Sequence, residues 1–82
     1  MMNYDTLSEA CQVMIFITTI ETPLDSLRVG RVLDKHQHVQ KWSIDLDDWE
    51  KVLKIEADSE LNLAEARQLI IEMGYVCEEM DH

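Results

Sequence analysis

The residues able to do chemistry in this chain are few and scattered. Cys11 and Cys77 are its two cysteines. They form no Cys-x-x-Cys pair, and their separation reads as two ordinary thiols of a reducing compartment, filling space as small hydrophobes, rather than as a disulfide framework. His36 and His38 could ligate Zn(II) or Ni(II) with Asp34 if a helix ends beside them; Cys11 and Cys77 complete the set of alternative metal ligands. The competing reading is that these imidazoles sit favourably at the negative end of a helix. Asp47, Asp48 and Glu50 lack the spacing of a calcium loop and read as a solvated hairpin. Thr22 and Asp25 have no histidine or lysine base beside them, and no glycine-rich phosphate loop is present. Exposed carboxylates also need a pocket that shifts one pKa before they can do acid–base work. The expectation is a protein that is not an enzyme and uses no cofactor.

Charge narrows the partners. Seven lysines and arginines stand against 17 acidic residues, a net charge of −10, which opposes binding to nucleic acid or an anionic membrane and favours solubility. The run VMIFITTI at 13–20 is far too short to span a bilayer. No lysine or arginine precedes it as a signal peptide requires, so a cytoplasmic location is expected. Eighty-two residues make one domain, which at this size buries only about 60% of its unfolded surface.

The elements that must position these residues follow from patterning. Residues 1–10 show no secure periodicity and read as a flexible arm, with 11–80 as the single domain. From Cys11 to Ile20 the β-branched and aromatic residues predict a strand, with Met14, Phe16, Thr18 and Ile20 on one face and Val13, Ile15 and Ile17 on the other. Thr22, Pro23 and Asp25 are a helix-start signal. The helix runs to about Lys35, with Val29, Val32, Leu33 and His36 as its inward stripe and Leu27 at its edge. Gly30 costs about 1 kcal/mol there relative to alanine, tolerable where the helix crosses a sheet closely.

Val39 to Leu46 alternates as a strand with Trp42, Ile44 and Leu46 inward, Asp47-Asp48 turns the chain, and Trp49 to Ala57 returns with Leu53 and Ile55 inward. Asn62 and Glu65 form a capping box opening a second helix, with Leu63, Ala66, Ile70 and Met73 inward and Leu69 broadening the stripe. Gly74 ends it, and Tyr75-Val76-Cys77 reads as the last strand. The order βαββαβ predicts an α+β ferredoxin-like sandwich, a four-stranded antiparallel sheet with both helices on one face.

On that plan the chain resembles the heavy-metal-associated domain family, the copper-chaperone-like modules. The likeness covers about residues 12–79 and rests on VGRVLDKHQHV at 29–39, WSIDL at 42–46, VLKIEAD at 52–58 and NLAEARQLIIEMGY at 62–75. The resemblance implies a metal loop of the form Met-x-Cys-x-x-Cys at the first helix. Here Ile20, Thr22 and Asp25 stand at the three ligand positions. Cu(I) is held by thiolates and thioethers, so a degenerate member that does not bind Cu(I) in the family's way is implied.

The remaining candidate is a contact surface. Helices cover one face of such a sheet, leaving Val13, Ile15, Ile17 and Val52 opposite, with Trp49 as an aromatic anchor. A homodimer or an unidentified protein partner is the expected use, unless the arm folds through Tyr4 and Leu7 over this face.

Overall fold

The computed structural model describes residues 11–80; the expected arm at 1–10 lies outside them. Strand β1 is Cys11–Thr18, helix α1 Pro23–Lys35, β2 Val39–Asp45, β3 Val52–Asp58, helix α2 Leu63–Glu72 and β4 Cys77–Glu79. The strands lie in the order β2-β3-β1-β4, with every neighbouring pair antiparallel. This is the expected ferredoxin-like α+β sandwich.

Both helices start where their caps direct. Thr22 has extended dihedrals and its hydroxyl accepts the Asp25 N–H at 3.1 Å, with Pro23 at the first helical position. Asn62 and Glu65 satisfy each other's backbone N–H groups reciprocally, at 2.8 and 3.1 Å. Gly74 closes the second helix with φ +98°, a conformation open to glycine at little cost.

The core lies between helices and sheet. Phe16, Ile20, Val29, Leu33, Leu53, Ile55, Ala66 and Ile70 are fully buried there. Val32 and His36 are half-buried, while Leu27 is exposed rather than at the edge of the apolar stripe. Gly30 is buried because the Trp42 ring lies against it: a Cβ would fall 2.8 Å from the ring's Cη2. The close crossing expected at that glycine is thus a helix-to-indole contact.

β1 ends at Thr18 rather than Ile20 and β2 at Asp45 rather than Leu46, and the last two strands start later than the sequence reading has them. The returning strand starts at Val52, not Trp49, because side chains build a longer turn. Asp45 Oδ1 accepts the N–H groups of Asp47 and Asp48, Asp48 Oδ1 accepts that of Glu50, and Lys51 takes φ 49°. The last strand is Cys77–Glu79, because Thr18 pairs with Cys77, and Tyr75 and Val76 lie in the connection before it.

Candidate functional site

The loop between β1 and α1 holds the positions the sequence singled out. Ile20 is fully buried in the core. The Thr22 hydroxyl is used as the helix cap, and Asp25 Oδ1 accepts the Tyr75 hydroxyl at 2.7 Å. That bond, followed by the one from Thr22, holds the Asp25 carboxyl below its usual range, and the same carboxylate pushes the Tyr75 phenol up. A second tie runs beside it, where Thr19 Oγ1 accepts the Val76 N–H at 3.0 Å and Thr19 N donates to the Val76 carbonyl at 3.3 Å. These three side chains are therefore committed to packing, capping and closure.

The histidines come together at the other end of α1. His36 and His38 have ring centroids 5.7 Å apart, beside an open cleft of about 530 Å³ that Leu61, Glu65 and Leu69 also line. His36 Nδ1 accepts the His38 backbone N–H at 3.2 Å. A neutral His36 therefore carries its proton on Nε2, and its one ring lone pair is already used. His38 Nδ1 faces Asp58 Oδ2 at 3.0 Å, which assigns the proton to Nδ1 and leaves Nε2 as acceptor. The Asp58 carboxyl is held low by this imidazole and by the Glu60 N–H. Asp34 accepts the Trp42 indole N–H at 2.8 Å, and Glu65 is engaged in its capping box. Among the described residues no three His, Cys, Asp or Glu side chains group to hold a metal ion.

In the sheet register Cys11 pairs with Asp58 and Cys77 with Thr18, at opposite ends of β1. Cys77 is 1% exposed, and burial pushes its thiol up to about 11.

On the outer face, Val52 lies opposite Ile17, while Lys54 and Glu56 lie opposite Ile15 and Val13. The apolar stripe is therefore narrow, with Val13 54% exposed and Ile15, Ile17 and Val52 half-buried. Trp49 is 85% exposed in the hairpin turn, off the strands.

No protein-family model and no curated protein sequence matches the chain. Solved structures do. Oxidized MerP from Ralstonia metallidurans CH34 superposes with a TM-score of 0.75 over 88% of this chain and 100% of its own, at 12% identity. The fold is heavy-metal-associated-like. A second structure with this fold, the CsoZ metallochaperone, gives a TM-score of 0.72 over 82% of this chain and 96% of its own, at 18% identity. Sequence reasoning singles out Thr22, Asp25 and His38 but misses their partners Tyr75 and Asp58. These two partners lie 50 and 20 residues from the groups they bind, so no local signal announces them. Among the described residues no helix is long and apolar enough to cross a membrane.

Proposed function

We propose that this chain is a non-catalytic protein-contact module of the cytoplasm, acting through self-association or a protein partner and without Cu(I). The carrying observation is the hydrogen bond from Tyr75 to Asp25 across the loop where thiolates would be needed. A soft metal ion meets there a buried aliphatic side chain, a capping hydroxyl and a committed carboxylate, none of them a soft ligand. What remains for function is the sheet, with its stripe of Val13, Ile15, Ile17 and Val52 and the exposed Trp49 indole nearby. Native mass spectrometry of protein purified without chelator, then challenged with Cu(I), Zn(II) and Ni(II), tests this. Metal-free protein is expected under chelator competition; a one-to-one complex surviving that competition contradicts it.

A second reading, a metal-related role with relocated ligands, is favoured by His38. A carboxylate on Nδ1 is the arrangement that supports a histidine ligating through Nε2, and one structural neighbour is itself a metallochaperone. Chelation by the pair requires His36 to release the His38 N–H. Stoichiometric Zn(II) or Ni(II) binding lost in the His36→Ala, His38→Ala double variant supports this reading, and absence of binding removes it.

A further inference from the structure

We infer that β2 is a self-recognition edge, through which two copies of this chain pair antiparallel over Lys41–Asp45 and join their sheets into one. This deepens the contact reading by naming both surface and partner, and it rests on that reading only for the claim that contact is the function.

The sheet order leaves two edges, β2 and β4. β4 is three residues long, Cys77-Glu78-Glu79, and antiparallel self-pairing there would crowd carboxylates of like charge. β2 has seven residues. Its register against β3 shifts between Val39 and Lys41, and from Lys41 to Asp45 it is regular. Five consecutive residues thus present an even edge.

Burial shows that this edge is unfinished. Leu53 and Ile55 on β3 are 0% exposed, whereas Ile44 and Trp42, their direct cross-strand neighbours, stay half-exposed, with no strand among the described residues pairing on their far side. Trp42 is also held in place, by Gly30 beneath its ring and by Asp34 on its Nε1. The Trp42 side chain at this edge is therefore positioned before any partner arrives.

The order of residues is self-complementary. Lys41-Trp42-Ser43-Ile44-Asp45, paired about a two-fold axis at Ser43, sets Lys41 opposite the partner's Asp45 twice and Trp42 opposite the partner's Ile44 twice. The charged pairs fall on the outer face and the apolar pairs on the helix-covered face, as the alternation of β2 requires. Slipping by two residues either way places Lys41 opposite Ser43 or Ser43 opposite Asp45 and loses both charge pairs, so the register is specified. The Lys41 side chain makes no hydrogen bond or ion pair among the described residues, although the chain carries 17 acidic residues. Asp45 uses Oδ1 in its turn, which leaves Oδ2 for a lysine.

A five-residue edge is smaller than the roughly 800 Å² per partner of a standard stable interface. Two copies each of charge −10 also repel. The dimer is accordingly weak and concentration-dependent, favoured at physiological salt, where the Debye length is about 8 Å.

Sedimentation velocity of the full chain at physiological salt, over a concentration series reaching millimolar, tests this. A monomer–dimer equilibrium is expected. Lys41→Asp, which opposes the partner's Asp45 with a second carboxylate, should weaken it by about tenfold or more, and adding Asp45→Lys should restore it by exchanging the two charges. Because Asp45→Lys also disturbs the turn, a second measurement stands apart from it. Ser43→Cys in a Cys11→Ser background should yield a disulfide-linked dimer with oxidised glutathione, since directly opposed antiparallel residues bring their Cα atoms within disulfide range. A wild-type chain that stays monomeric throughout overturns the inference, as does a dimer indifferent to Lys41→Asp and not crosslinked through Ser43→Cys. Either result leaves contact with another protein standing, whereas Cu(I) binding by the loop would sink the contact reading without changing sedimentation of the metal-free chain.

Discussion

Tyr75 and Asp25 stand 50 residues apart in sequence and are joined by a hydrogen bond of 2.7 Å, the phenol donating to Oδ1. The bond ties the connection after α2 to the first turn of α1, so it closes the loop at the end of the sandwich where β1 hands the chain to its first helix. Tyr75→Phe removes the donor and keeps the ring. Thermal unfolding followed by circular dichroism should show a midpoint lowered by no more than about 5 °C, since the pair is solvent-accessible and its strength is screened. A larger fall would mean that the bond holds the fold and not merely the loop.

Gly30 is expected to resist replacement despite lying in a helix. Alanine gains about 1 kcal/mol of helix propensity, yet its Cβ would enter the Trp42 ring, which Asp34 tethers through Nε1. Crowding of this kind costs about 1–3 kcal/mol, so Gly30→Ala should destabilise by about 1 kcal/mol net. In a Trp49→Phe background, which removes the exposed indole, Trp42 emission should shift to the red as its ring is displaced. Increased stability would show that the ring moves aside freely.

Acid should act through Asp25 and Asp58. Both carboxyls are held below the ordinary range, Asp25 first by the Tyr75 hydroxyl and Asp58 first by the His38 imidazole. A carboxyl lowered by folding contributes stability that is complete above its unfolded value, about pH 4, and is lost as pH falls through the folded value. Their share of acid destabilisation therefore begins only below about pH 4. Urea midpoints measured from pH 5 downward should fall less steeply in Asp58→Asn than in wild type, and an unchanged slope would contradict the assignment.

Cys77 behaves oppositely. Burial pushes its thiol up to about 11 from 9.0, so its contribution is complete below pH 9 and is lost as pH rises towards 11. Iodoacetamide at pH 8 should leave Cys77 unmodified in the folded chain and alkylate it in urea, as read by peptide mass mapping. Rapid modification of the folded protein would show that this thiol is accessible.

The helix starts are legible in sequence because caps are local: Thr22 and Asn62 each bind the N–H three residues ahead. Strand faces are legible for a similar reason, alternation placing Met14, Phe16 and Thr18 inward without knowledge of any partner strand. Strand ends are not. Trp49 has strand-forming chemistry, but the carboxylates of Asp45 and Asp48 recruit the preceding and following N–H groups into a turn. Tyr75 likewise reads as strand, while its position is decided by the pairing of Cys77 with Thr18. The loop residues Ile20, Thr22 and Asp25 are singled out together in sequence only through the family resemblance, and their closure depends on Tyr75, which only the folded topology brings near. The edge at Lys41–Asp45 is legible only when the strand order is known.

Cu(I) titration of wild type and of a Thr22→Cys, Asp25→Cys variant against a chromophoric chelator tests the closed loop most directly. The wild-type chain should leave the metal on the chelator, and the variant, with two thiolates introduced at those positions, should withdraw one Cu(I) per chain. Withdrawal of one equivalent by wild type would contradict the account, because the loop would then hold soft metal without the soft ligands it lacks.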